Sequence, residues 1–285
     1  CQNNLKQWGI IYKMFAGENK GMFPPGMLYP VYPRYYTLGV DSTVLYPEYW
    51  TDPAIARCPS DSGGDALGQK WGMEPDFPAM IERIAAKPPT PEQKVCLHGK
   101  LSVPISYMYV PYLCKTQSQV LDWALATLYL GLGVIGTGGG TDPFRACSSY
   151  TTVAHPGGSL TSVDASCFPT VDIIEANCEG KIPAHADTPT LYGHPSYNNK
   201  DEDGGPMPSV YNRLREGIER FLITDINNPA AGARAQSTIF IMWDAYGNGI
   251  SYESYFETPG HNGVLHFNHV PGGSNVLYMD GHVEF

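Results

Sequence analysis

Histidines crowd the end of this chain. Four of its eight, His261, His266, His269 and His282, fall within the last 25 residues, together with Asp280. Imidazoles and carboxylates at this density can bind a transition metal or move protons. A metal-dependent enzyme using Asp244, His261, His266, His269 or His282 is therefore one function the sequence admits. The same stretch also has an architectural explanation. Within Tyr278-Met279-Asp280-Gly281-His282-Val283, the Asp-Gly step accepts the positive φ angles of a type I′ turn. Pairing about that turn sets Met279 against His282, Tyr278 against Val283, Leu277 against Glu284 and Val276 against Phe285. Val276, Tyr278, Val283 and Phe285 would then share one apolar, core-facing side, with His282 and Glu284 on the other. The Asp280 carboxylate would serve the loop backbone. On this account His269, Asp280 and Gly281 are structural, and histidines close in sequence are apart in space. Gly272-Gly273 predicts a further turn, which returns the strand containing Leu265, His266 and Phe267 towards the hairpin, with His266 pointing outward.

Two other places carry chemistry-bearing residues. Asp201, Glu202 and Asp203 precede a Gly-Gly pair, and Asp225, Asn227 and Asn228 cluster farther on. Oxygen ligands of this kind suit calcium, the one cofactor the composition points to, although EF-hand spacing is absent. The same residues serve as turn formers and helix caps. Gly131, Gly133 and Gly136 match GxGxxG, but a dinucleotide site needs a strand before that loop and a helix after it. Here a helical pattern precedes it and a glycine-rich run follows, so the segment reads as a turn. No GxSxG, HExxH, P-loop or kinase signature occurs.

These residues must be held by a fold, and composition bounds it. The chain has 285 residues, 42% hydrophobic and 16% charged, enough for one large core or two modest ones. Eighteen Lys and Arg against 28 Asp and Glu leave a net charge of −10, which argues against a nucleic-acid partner. No apolar run is long enough to span a membrane. Glycine, proline and tyrosine are abundant, predicting many turns and aromatic-lined connections. The seven cysteines (Cys1, Cys58, Cys96, Cys114, Cys147, Cys167 and Cys178) show no CxxC and no zinc-ligand spacing. They fit an oxidising compartment, with up to three disulfides of unassigned connectivity and one spare thiol, better than a zinc site.

Along the chain, Leu5, Trp8, Ile11 or Tyr12, and Phe15 recur at helical steps, so residues 1–21 predict a helix with one apolar face. Tyr29 to Tyr36 reads as a proline-broken aromatic loop. Short helices are expected near Pro53–Arg57 and Phe77–Ala86, a strand within residues 101–113, and a buried helix over 118–130. Residues 131–206 lose all periodicity and form a loop-rich, cysteine-containing insertion. An amphipathic helix over 209–222 and a buried strand over 237–244 follow. The expected fold class is α+β: one globular domain, 1–285, with helices early, strands late and the insertion inside it.

The two ends of the chain together carry a resemblance. CQNNLKQWG at the start and FNHVPGGSNVLYMDGHVEF at the end resemble prepilin-type proteins of the type II secretion pseudopilin class, in particular those with the prepilin-processing-associated His-x9-Asp-Gly domain. Internal segments agree: RCPSD (Arg57–Asp61), ISYMY (Ile105–Tyr109) and the stretch from Glu219 to Asp244. Here ten residues, not nine, separate His269 from Asp280. The resemblance implies a pilin-like fold, a long N-terminal helix packed on a C-terminal antiparallel sheet. It implies an upstream apolar helix, so that Cys1 lies mid-helix and any membrane attachment runs through that missing segment. A lipidated Cys1 is the other expectation for a chain opening on cysteine.

The function so implied is that of a non-catalytic structural subunit, not an enzyme. Its partner would be itself, in a homo-oligomeric extracellular, cell-surface or periplasmic filament, joined by other pilins or secretion components. Tyr29, Tyr32, Tyr35 and Tyr36 would supply assembly contacts. The rival to this is a surface carbohydrate- or ligand-binding module, with those tyrosines and Trp50, Trp71 or Trp243 lining a groove.

Overall fold

The computed structural model describes residues 1–31, 34–61, 76–85, 90–102, 105–120, 122–123, 182–183, 208, 210–218, 235–244, 246–248, 265–267, 269 and 272–285. The chain opens with helix α1 (Gln2–Glu18), whose buried stripe is Leu5, Trp8, Gly9, Ile11, Tyr12, Phe15 and Ala16, the face expected from the spacing. Lys20 and Gly21 then adopt positive φ, and the Asn19 amide donates to the Phe15 carbonyl at 2.8 Å, which ends the helix.

The next segment corrects one expectation. Tyr29 to Tyr36 belongs to a ribbon of β1 (Gly26–Val31) and β2 (Arg34–Val40), paired antiparallel with Tyr29 opposite Tyr36 and Pro30 opposite Tyr35. A proline is admissible here because each strand of a two-stranded ribbon is an edge, so the missing N–H breaks no central ladder. Tyr32 lies outside the described residues.

Helix α2 (Ser42–Leu45) and a 3₁₀ helix (Pro53–Ala56) follow, capped by the carboxylates of Asp41 and Asp52. Helix α3 (Phe77–Ile84), capped by Asp76, buries Phe77, Met80, Ile81 and Ile84. Helix α4 (Pro91–Ser102) has a capping box at its start: Thr90 N–H donates to Gln93 Oε1 at 2.8 Å and Gln93 N–H to Thr90 Oγ1 at 3.2 Å. Of the strand expected within 101–113, β3 (Tyr107–Tyr109) forms, with Tyr112 in a further isolated bridge to Arg213. Strand β4 (Ile182–Pro183), the described part of the insertion, pairs antiparallel with β5 (Val210–Tyr211).

The helix expected over 209–222 does not form over its described part. Leu113 N–H donates to Asn212 O and Leu214 N–H to Pro111 O, so this backbone is extended and bonded to a neighbour. Tyr211 and Leu214 are both buried but in different cores, which a three-residue spacing cannot reveal. Gly217, at φ +85°, turns the chain at once.

Strand β6 (Phe240–Asp244) is the centre of the main sheet, with β7 (Tyr246–Asn248), β8 (Leu265–Phe267), β9 (Val276–Tyr278) and β10 (Val283–Glu284) after it. The four-stranded antiparallel sheet runs β10-β9-β6-β3. Strand β8 pairs with β7, not with the terminal hairpin as expected. The fold is thus α+β. One face of the sheet carries the main core, where α1 meets Ile239, Ile241, Met242, Leu277 and Met279; the opposite face carries a second core of Val110, Tyr112, Cys114, Val120, Trp123 and Tyr211, with Phe240 and Trp243 against it.

The terminal hairpin exists, but its turn is not the expected one. Leu277 pairs with Val283 and Val276 with Glu284, one residue out of the predicted register. Gly281 N–H donates to Tyr278 O at 2.9 Å, Tyr278 N–H to His282 O at 3.0 Å, and Gly281 has φ +94°. This is a three-residue loop, a turn followed by a left-handed glycine. The slip exchanges the faces of β9, while Val283, opposite Leu277, still packs against the main core. Leu277 and Met279 are buried towards α1, while Val276 and Tyr278 are only partly buried and Phe285 is exposed.

Candidate functional site

The polar centre of the molecule is built around Asp244, at the end of β6. An irregularity in the pairing of β6 with β9 falls between Phe240 and Met242. A bulge of this kind re-aims the side chains that follow it. Ile241 and Met242 both join the main core, Trp243 reaches the second one, and Asp244 returns to the α1 side. There it is fully buried.

A buried carboxylate needs donors. Asp244 Oδ2 accepts from Asn275 N–H at 2.9 Å and from Asn275 Nδ2 at 2.5 Å, and it lies 2.8 Å from His269 Nε2. The backbone joins in: Asp244 N–H donates to Asn275 O, and Ser274 Oγ donates to Asp244 O, both at 2.9 Å. His269 Nε2 is also 2.9 Å from Asn275 Nδ2 and 3.9 Å from Cys58 Sγ. Cys58 is disulfide-bonded to Cys1, at the N-terminus of α1, with the two Cα atoms 4.9 Å apart. The second carboxylate oxygen, Asp244 Oδ1, and Asn275 Oδ1 are buried and accept no hydrogen bond from the described residues. Across the β3–β6 pair, Tyr107 stands opposite Asp244; burial first, and the Asp244 charge second, push its phenol well above its ordinary range.

Around the hairpin tip a second, exposed set forms. Asp280 Oδ1 accepts from His282 N–H at 3.0 Å and lies 2.5 Å from His282 Nδ1, so the aspartate serves the loop backbone as expected. The His282 ring stacks on Tyr278 at 4.4 Å, and its Nε2 is 3.6 Å from Glu284 Oε1.

Of the five residues in the metal-enzyme expectation, the structure brings Asp244 and His269 together and holds His282 at the hairpin tip beside Asp280. Only the backbone of His266 is described, in β8 opposite Gly247. His261 lies outside the described residues, as do the calcium candidates Asp201, Glu202, Asp203, Asp225 and Asn227, the GxGxxG glycines and Trp71. Trp50 is fully buried, so it lines no groove. Tyr29, Tyr35 and Tyr36 have their backbones in the β1–β2 ribbon.

Sequence reasoning missed Asn275 and the juxtaposition of Cys1 with Cys58. A lone asparagine directly before an apolar strand was the available signal for the first; the second, spanning 57 residues, had none. The disulfide itself fits the expectation of an oxidised framework, Cys96 is disulfide-bonded too, and Cys114 is a buried free thiol whose pKa burial raises. No helix among the described residues is long and apolar enough to cross a membrane. No protein-family model matches the chain, and comparison with curated proteins and with solved structures gives no significant match.

Proposed function

We propose that the chain is a non-catalytic structural subunit of pilin-like fold, which self-associates into an extracellular or envelope filament of pilus or pseudopilus type. The observation that carries this reading is the two-sidedness of α1. One side is buried, with Tyr12 against Tyr109 and Met242 of the antiparallel sheet and Trp8 and Phe15 against Trp50 and Tyr49. The other presents Ile10 and Met14, one turn apart and 61% and 51% exposed. An apolar pair on the outer side of a sheet-packed helix suits lateral helix-to-helix contact between copies.

The residues that carry the resemblance to prepilin-type proteins support it as well. His269 is engaged by Asp244 and Asn275, Asp280 holds the backbone of its own loop, and Gly281 makes the turn. Each has an architectural task. Self-association makes other copies the principal partner, with further pilins or secretion components beside them. Electron microscopy of the native, full-length protein tests the reading. Polymers built from this chain support it; a strictly monomeric full-length protein with measurable turnover overturns it.

A further inference from the structure

Cys1, Cys58, Asp244 and His269 each direct one potential ligand atom into the same small volume, all within 4.8 Å of one another. We propose that reduction of the Cys1–Cys58 disulfide turns this cluster into a four-coordinate site for a thiophilic divalent cation, zinc foremost. The ligands are the two sulfurs, His269 Nε2 and a carboxylate oxygen of Asp244. Two thiolates, an imidazole and a carboxylate are a donor set zinc accepts in tetrahedral geometry.

Three observations carry the assignment. The ligands come from four separate places: Cys1 from the start of α1, Cys58 from the turn after the 3₁₀ helix, where its carbonyl accepts Asp61 N–H, Asp244 from the end of β6, and His269 from the segment before β9. Each ligand is thus carried by an element of its own. Asp244 is fully buried, and Oδ1 accepts no hydrogen bond among the described residues while Oδ2 is held by Asn275. A buried acceptor without a donor is costly, and a cation relieves it. Asn275 would then be the outer partner that orients a ligating carboxylate. Finally, His269 Nε2 is 3.9 Å from Cys58 Sγ.

The site is closed while the disulfide stands, because neither sulfur is then a thiolate. Its opening balances as a thiol–disulfide exchange. A dithiol reductant gives two electrons and two protons to the Cys1–Cys58 bond and leaves as its own disulfide. Zinc then binds both sulfurs and displaces the two thiol protons to solvent. The device is a redox-gated metal site, independent of whether the chain forms filaments.

The test uses the full chain, oxidised or reduced with a phosphine, titrated anaerobically with cobalt(II) and then zinc. Reduced protein is expected to take up one cobalt, with a thiolate-to-cobalt charge-transfer band and strong tetrahedral bands that zinc abolishes; oxidised protein shows neither. His269→Ala should weaken binding on the order of 100-fold or more, and Asn275→Ala about 10–100-fold, the range for an outer partner. Should the reduced chain lose its fold, recovery of its circular dichroism on adding zinc supports the site, and no recovery overturns it. The proposal also fails if reduced protein gives no charge-transfer band, if the band survives in the Cys1→Ser/Cys58→Ser variant, or if His269→Ala binds as tightly as the parent.

Discussion

Leu277 occupies the notch that Gly9 leaves in helix α1. A Cβ added at residue 9 would lie 3.1 Å from Leu277 Cδ1 and 3.7 Å from the Cα of Gly281. Leu277 is fully buried, so it has little room to give. Alanine is worth up to about 1 kcal/mol over glycine inside a helix, whereas overpacking a core typically costs about 1–3 kcal/mol. Gly9→Ala is therefore expected to lose about 1 kcal/mol. Gly17, in the same helix with nothing within 4 Å of an added Cβ, is the control: Gly17→Ala should gain up to about 1 kcal/mol. Thermal denaturation of the two variants side by side checks this, and equal shifts would refute the close approach.

Gly281 isolates a backbone effect. Its φ is +94°, yet an added Cβ would meet nothing within 4 Å. The penalty for Gly281→Ala is thus conformational alone, about 1–2 kcal/mol. A chemical denaturation midpoint unchanged by the substitution would mean that the loop has another shape.

His98 makes stability depend on pH. Burial first, and the Lys94 charge second, lower its pKa from 6.5 to about 4, while a hydrogen bond with Ser42 acts in the opposite direction. The unfolded chain therefore binds the proton more readily. The contribution is complete above pH 6.5 and is lost as pH falls towards about 4. Between these limits its slope approaches about 1.4 kcal/mol per pH unit. Comparing wild type with His98→Asn between pH 6.5 and 5 should show a steeper decline in the wild type; parallel curves would count against it.

The Cys1–Cys58 disulfide closes a long loop, with 57 residues of separation, so chain entropy assigns it about 4 kcal/mol. Cys58→Ser, or selective reduction, should lower the denaturation midpoint accordingly and loosen the first turn of α1, which hydrogen exchange would register.

Ile10 and Met14 give the filament proposal a surface to test. Replacing both with aspartate should abolish polymers in electron micrographs while leaving the melting temperature of the subunit within a degree or two, since surface substitutions usually shift stability by under about 0.5 kcal/mol. Polymers that persist would remove α1 from the contact.

The elements legible in the sequence were those whose signal is local. Leu5, Trp8, Tyr12 and Phe15 announce α1 by spacing, and both short helices near Pro53 and Phe77 formed where expected. The capping box of Thr90 and Gln93 was equally legible for α4, but the apolar period there is too weak to draw attention to it. Competition between local and distant forces defeated the rest. Asp280-Gly281 favours a two-residue turn, yet burial of Leu277 and Met279 beside α1 selects the register one residue away. Residues 210–218 have a helical period because Tyr211 and Leu214 feed two cores, not one. Of the site, His269 and Asp244 could be named from sequence; that Cys1, Cys58 and Asn275 surround them is a product of tertiary folding alone.

Counting, more than composition, governs β6. Ile241 and Met242 lie on one side only because the ladder skips between Phe240 and Met242. Deleting either one would restore strict alternation with Trp243 and Asp244 kept on their present sides, and would cost the main core one aliphatic side chain. The strand can therefore exchange one aliphatic residue for another with little harm, and the skip itself is what lets two of them enter the same interior side by side.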